Sequence, residues 1–454
     1  MHRILTALLL ASILPAQDSL EQRARQHLID LLKIDTSNPP GNETRAAEYL
    51  KRVTDAAGIP SELLGKDKTR LNFVARLRGS GKQRPLLLMA HTDVVPVERD
   101  QWTVDPFSAL LKDGYIYGRG AQDDKCFLAA ELAVFVELKR RNVPLDRDVI
   151  FLAESGEEGS SDVGIVWMMQ YAYEKIDAEF ALNEGGYAMD TPSGLRVFQI
   201  QTTEKVPTRI VLQARGTAGH GSLPRSDNPV LRVARAVTRL GDTEQPVRLN
   251  ETTRRYFRTL AATPDYRWLT DLLPRLENPA TAMLTAAEIR ARDPELDAAL
   301  RTTISPTVFH AGMRVNVIPN AGEAQLDVRR LPNETAEEVL ARFRAIIGDD
   351  GVQISPAGLN RPASEPSSLT TALYQSMERV FSKAHPKALV APYMQRGSTD
   401  GANLRTKGMA VYGVPLFEEN DKRLHGNDER IAVVNFEKGS RLLWDVVLDV
   451  ASPR

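Results

Sequence analysis

The sequence predicts an α/β protein: a mostly parallel sheet with helices on both faces, interrupted by a ferredoxin-like α+β unit. Three observations predict it. Short apolar runs alternate with helical patterns from Leu20 to Thr203. A β-α-β-β-α-β order follows between Thr208 and Ser355. The α/β pattern then resumes after Pro362. Alternating β and α elements favour a parallel sheet covered on both sides. A chain of 454 residues also exceeds one ordinary core.

The elements follow in order. Ser19 to Lys33 reads as a helix, and Thr44 to Ala57 as a second, ended by Gly58 and Pro60. Leu86 to Ala90 is a continuous apolar run, as in a strand buried on both faces. Asp123 to Arg140 is helical, with Leu128, Leu132, Phe135 and Leu138 on one side. Val149 to Ala153 and Phe180 to Leu182 read as further buried strands. After Thr203 the pattern changes. Thr208 to Arg215 alternates like a half-exposed strand, and Asn228 to Leu240 is an amphipathic helix. Strands at Thr307 to Val315 and Glu323 to Arg329, a helix at Thr335 to Ile347 and a strand at Val352 to Ser355 complete the ferredoxin-like order. An Arg-rich helical insertion, Gly241 to Ser305, interrupts it. Helix Ser368 to Phe381, strand Met409 to Tyr412 and a helix from Asp428 to Asp449 close the chain. The expected organisation is a larger domain split into 17–203 and 363–454, with 204–362 inserted as a smaller domain.

Composition narrows the function. Apolar residues are 42% and charged residues 26%, ordinary for a globular chain. The net charge of -1 offers no global basic excess for nucleic acid or an anionic membrane, so neither is an expected partner. His2 and Arg3 precede an apolar run from Ile4 to Leu14 and then Pro15-Ala16-Gln17. The run is shorter than the roughly 20 residues a membrane span needs. It reads as a signal peptide over residues 1–16, giving a secreted or periplasmic protein without a stable membrane anchor. Cys126 is the only cysteine, so no intrachain disulfide forms.

Five acidic or imidazole segments fall after strands or at turns: Ala90-His91-Thr92-Asp93, Gly118 to Lys125 with Asp123-Asp124, Glu154 to Gly159 with Glu157-Glu158, Asn183-Glu184-Gly185-Gly186, and His425 to Glu429. Ligands of open α/β sheets bind beyond the carboxyl ends of strands, where these segments can converge. Two imidazoles with several carboxylates suit Zn²⁺, and also Mn²⁺ or Co²⁺. Of the Glu157-Glu158 pair, one can bind metal while the other remains a base.

Together these segments resemble the zinc metallopeptidases that include aminoacylase, carnosinase, glutamate carboxypeptidase and succinyl-diaminopimelate desuccinylase. The nearest-looking stretch is Gly118-Arg119-Gly120-Ala121-Gln122-Asp123-Asp124-Lys125. The resemblance implies a zinc-exopeptidase-like catalytic domain with a lid or dimerisation domain, and two zinc ions per subunit. His91, Asp123 and Glu184 would hold one metal; Asp123, Glu158 and His425 the other. Glu157 would be the general base, and Asp93 would orient His91. His220, in Thr217-Ala218-Gly219-His220-Gly221-Ser222, matches a histidine that reaches an active site, the partner chain's in dimeric members, to bind the carbonyl oxygen. Asn316 and Arg329 match substrate contacts, and an arginine can grip a carboxylate with two bonds. Gly397 and Ser398 match a loop lining the substrate pocket. The resemblance implies a homodimer that cleaves an amide bond of a small peptide or of an N-acyl amino acid, each with a free carboxylate.

Blander readings stand beside these. His91 and His425 singly read as buried core histidines. Asp123 and Asp124 read as a helix N-cap and a first-turn acid, and either is able to bridge metals. Cys126 reads as a buried small residue. His27, His310 and His385 have no motif around them. The chain lacks G-x-S-x-G and H-E-x-x-H, which excludes the serine-esterase and one-zinc protease signatures. Gly79-Ser80-Gly81-Lys82 lacks the remaining residues of a phosphate loop.

Overall fold

A computed structural model describes residues 18–159, 161–358, 361–417, 421 and 423–453. The segment read as a signal peptide, 1–16, lies outside them. No helix of the described residues is long and apolar enough to cross a membrane.

The larger sheet has nine strands. Its centre runs Val149–Glu154, Leu86–His91, Phe180–Asn183, Ala410–Gly413, all mutually parallel. Antiparallel pairs lie toward both margins, as between Asn72–Leu77 and Val149–Glu154. Every residue of Leu86–His91 is buried. Alternate side chains enter different cores: Leu86, Leu88 and Ala90 meet the helices Leu20–Leu32 and Lys125–Arg140, whereas Leu87 and Met89 join Ile165 and Met168 on the opposite face. That is why the strand lacks a polar face.

The smaller sheet orders its strands Thr303–Ala311, Ala321–Arg330, Val206–Arg215, Val352–Ala357, all antiparallel. Two helices, Pro229–Asp242 and Ala336–Ile347, cover one face. Ile210, Leu212 and Ala214 alternate inward against Val233, Val339 and Phe343. This is the expected ferredoxin-like arrangement. One strand is shifted: the segment read as Thr307 to Val315 is Thr303–Ala311. Met313 and Val315, which extended the apolar alternation, are fully exposed in the following turn.

Among the helices of the 241–305 insertion, Glu251–Ala261 packs on the larger sheet, placing Tyr256, Phe257 and Leu260 with Ala391, Tyr393 and Met394 of strand Leu389–Gln395.

Candidate metal centre and cavity

Three neighbouring parallel strands deliver three of the five segments to one edge. His91 ends its strand opposite Glu154. Glu157 and Glu158 lie just beyond, and Glu184 directly follows Phe180–Asn183. Asp123 enters from the turn before helix Lys125–Arg140. Gly120 shapes that turn, with φ +93° and space for a Cβ only 2.9 Å from Val94, so a side chain there is strained. His425 comes from the turn before strand Arg430–Ala432 and holds a left-handed φ of 59°. Non-glycine residues seldom take that conformation, and it recurs at functional sites.

Ligand atoms of His91, Asp123 and Glu184 lie within 4.8 Å of one another, as do those of Asp123, Glu158 and His425. Asp123 is common to both groups. Its Oδ1 is 2.9 Å from His91 Nε2, and its Oδ2 is 3.1 Å from His425 Nε2. His425 Nε2 is also 2.8 Å from Glu158 Oε1. Asp124, the other acid of the pair, is turned away: its Oδ2 accepts the His91 backbone N–H at 3.1 Å. It occupies the N-cap position yet makes no side-chain cap.

The electrostatics fit a cation-binding site. Burial opposes charge on His91, but Asp123 and Asp93 outweigh it and hold the imidazole well above its ordinary value. Burial also opposes charge on Asp123, yet His425 and His91 hold it well below the carboxylate range. Bonds to Asp123 and Glu158 hold His425 up to about 10. Burial drives Glu184 and Asp124 well upward. Burial penalises charge on so many neighbouring carboxylates, a penalty that nearby metal cations would offset.

Positioning groups surround the cluster. The carbonyl of Asp93 is 2.9 Å from His91 Nδ1, and its carboxylate stands 3.5 Å away. That carboxylate accepts backbone N–H groups of Gly156, Glu157 and Glu158 at 3.0–3.2 Å, so Asp93 anchors the acidic loop as well as the imidazole. Arg119 and Glu429 form a buried ion pair of 2.6 Å. Glu429 accepts from Gln122 and Asp123 N–H, and Arg119 donates to the His425 carbonyl, which ties the second segment to the fifth. Burial raises Glu157 to about 8, with Arg361 opposing the shift. Arg361 sits 2.7 Å from Glu157 Oε1 and 2.6 Å from Asp400 Oδ1. Sequence reasoning missed Arg361, Arg119 and Glu429. The last two were discoverable, since each stands inside a segment already singled out; Arg361 has no pattern around it.

A cavity of about 530 Å³ opens over the cluster. Glu157, Glu158, Glu184, Asp123 and His425 line it, with Gly397 and Ser398 on the expected loop. One wall is Phe127, Leu416 and Phe417; the other includes Tyr187, Tyr256 and Tyr393. Tyr256, Leu296 and Ala299 show that the helical insertion builds part of this wall, which sequence left open. Cys126 also lines the cavity, and burial pushes its thiol up, away from nucleophilic form. His220, Asn316 and Arg329 do not line it. His220 is exposed, its Nδ1 2.7 Å from Ser222 Oγ. Asn316 is exposed beside it, its carbonyl accepting Gly221 N–H. Arg329 pairs with Asp327 at 2.8 Å. All three belong to the smaller sheet or its extension, so the chain alone leaves them off the cavity.

Fold and site together define a hydrolase built around a carboxylate–imidazole cluster at the strand ends of an α/β sheet. The chain belongs to peptidase family M20/M25/M40, whose family model matches residues 87–449. It is 30% identical to the human N-fatty-acyl-amino acid synthase/hydrolase PM20D1, covering 96% of this chain and 90% of that protein. It is also 30% identical to a probable carboxypeptidase S-like 2 of Dictyostelium discoideum, over 78% of this chain and 69% of that one. Its fold resembles the M20 family metallo-carboxypeptidase Sso-CP2 of Sulfolobus solfataricus, with a TM-score of 0.72, 23% identity, and 94% and 98% of the two chains covered.

Proposed function

We propose that this chain cleaves an amide bond of a small substrate bearing a free carboxylate, using two zinc ions and a water. The observation that carries this reading is Asp123 set between His91 and His425, with Glu157 beside them in the cavity. His91, Asp123 and Glu184 would hold one ion, and Asp123, Glu158 and His425 the other. Cobalt or manganese would suit the same donors. Bound zinc would polarise the amide carbonyl and acidify water. Glu157 then takes the proton of the attacking water and delivers it to the leaving nitrogen. Arg361 and the loop anchored on Asp93 fix where that carboxylate stands. His220 would stabilise the developing oxyanion, and Asn316 and Arg329 would contact substrate.

Two substrate types fit: peptides, cleaved as by a carboxypeptidase or dipeptidase, and N-acyl amino acids. The second is favoured by the apolar side chains in the cavity lining, such as Phe127, Leu416 and Phe417, and by the name of the human relative. Hydrolysis rates across dipeptides and N-acyl amino acids, with zinc supplied, distinguish them. Activity that survives complete chelation would overturn the metal-dependent reading.

The placement of His220 supports a homodimer in which the inserted unit, 204–362, presents it to a second chain. Phe309 on the edge strand Thr303–Ala311, Met313 and Val315 in the turn after it, Val317 on the two-residue strand paired with Gly219–His220, and Leu223 are exposed apolar residues, and exposed apolar groups gathered on a surface mark association. Light scattering that finds a strict monomer would remove this role of His220. Export through the 1–16 segment is proposed on its sequence pattern.

A further inference from the structure

Arg396 is the one lysine or arginine among the described residues that line the cavity. Every other ionisable group there that carries charge as a side chain of the metal cluster is anionic or imidazole. Arg396 directly precedes Gly397 and Ser398 and stands at the tyrosine wall. Tyr256 and Tyr393 pack edge to face there, ring centres 5.5 Å apart, and Tyr187 meets Tyr393 at 6.2 Å. Tyr187 lines the same cavity as Glu184, Asp123 and Arg396. An amide at the cluster and a charged group at Arg396 can therefore belong to one molecule held in this cavity.

The present partner of Arg396 is Glu295, 2.8 Å away on the helix Pro294–Ala298 of the insertion. The Glu295 side chain is 75% exposed. Exposed ion pairs of this kind contribute little, so a ligand carboxylate can replace one. A carboxylate delivered inside the cavity loses more water and gains the planar two-bond geometry that arginine offers. The remaining lining is apolar, phenolic, amide, hydroxyl or acidic, Asp293 included, and supplies no second lysine or arginine among the described residues.

We propose that Arg396 is a specificity-determining residue that binds a carboxylate of the substrate in exchange for Glu295. This rests on the amide-hydrolase reading above and narrows it. The carboxylate belongs either to the acyl arm, making the preferred substrates dicarboxylic N-acyl amino acids, or to the released amino acid.

Three ligands separate these sources: N-glutaryl-leucine, N-pentanoyl-leucine and N-glutaryl-leucinamide. Binding is measured by calorimetry on zinc-loaded Glu157→Gln protein with Arg396 intact or changed to Ala, and turnover on the corresponding pair with Glu157 intact. Loss of Arg396 is expected to weaken binding of the affected ligands about tenfold or more, with KM rising and kcat nearly kept. If both glutaryl compounds weaken and the pentanoyl compound does not, the acyl arm is read. If both leucine acids weaken and the amide does not, the amino-acid carboxylate is read. Arg396→Lys should restore part of either difference, which a general packing defect would not show. Equal loss for all three, no loss for any, or no binding of any of them to the zinc-loaded protein overturns the proposal. Selective binding without turnover in the intact enzyme would instead sink the amide-hydrolase reading and leave the Arg396 site standing.

Discussion

His91 is buried at a strand end with both ring nitrogens engaged, whereas His220 stands exposed on a two-residue strand beside Ser222. The same contrast separates their surroundings. Around His91, buried groups lock the geometry: Asp93 holds the acidic loop, and the Arg119–Glu429 pair joins segments three hundred residues apart in sequence. Around His220, Leu223 and Met313 face solvent. One region is finished within a single chain. The other would join a site only through motion of the smaller sheet or through a second chain, as proposed above. Pre-positioned groups supply catalysis without reorganisation at the moment of reaction, and the first region has that property already.

The sharpest test of this contrast is Glu157→Gln. Turnover should fall by roughly 10²–10⁴-fold, the range for a lost general acid–base group. Zinc content should not change, because neither proposed ligand set includes Glu157; loss of metal along with activity would merge two roles kept apart here. His220→Ala should cost about 10²–10³-fold in kcat, as for one lost oxyanion donor. Mixing that variant with Glu157→Gln should restore part of the activity if His220 serves the partner's site. Failure to complement in a proven dimer would confine His220 to its own chain.

The smallest expected effect concerns stability. Burial lowers His27 from 6.5 to about 4, on the helix that backs the larger sheet. The unfolded chain then binds the extra proton between these values, so stability is full above about 6.5 and declines as pH falls toward 4. Chemical denaturation at pH 5 and pH 7 should show this loss, and His27→Gln should flatten it. An unchanged slope in the variant would place the pH sensitivity elsewhere.

Some elements were readable because local pattern and tertiary role agree. Leu86 to His91 is uniformly apolar until the histidine, so both burial and the ligand at its end were visible. Strand Arg196–Glu204 was not recognised, since Gln199, Gln201, Thr202, Thr203 and Glu204 are polar yet buried. Partners satisfy much of this polarity: Gln201 donates to Glu204, Thr202 meets Thr252, and Glu204 pairs with Arg405, whereas Thr203 Oγ1 and Gln201 Oε1 are buried without a hydrogen-bond partner. Strand Leu389–Gln395 was missed too; it contains Pro392 and lies at the sheet margin, where proline is accepted. The last helix begins at Val433, not near Asp428, because Arg430–Ala432 pairs with Tyr115–Tyr117 first.

The sequence by itself determined the α/β class, the ferredoxin-like unit and the five segments of the carboxylate–imidazole cluster. Each depends on periodicity or on residues grouped along the chain, which short-range order preserves. Only the tertiary structure decided that Asp123, not Asp124, faces both imidazoles, that Arg361 meets Glu157, and that the insertion brings Tyr256 and Glu295 to the cavity wall beside Arg396. These relations join residues far apart in sequence or depend on which way a side chain turns. Packing sets them, and no spacing along the chain encodes it.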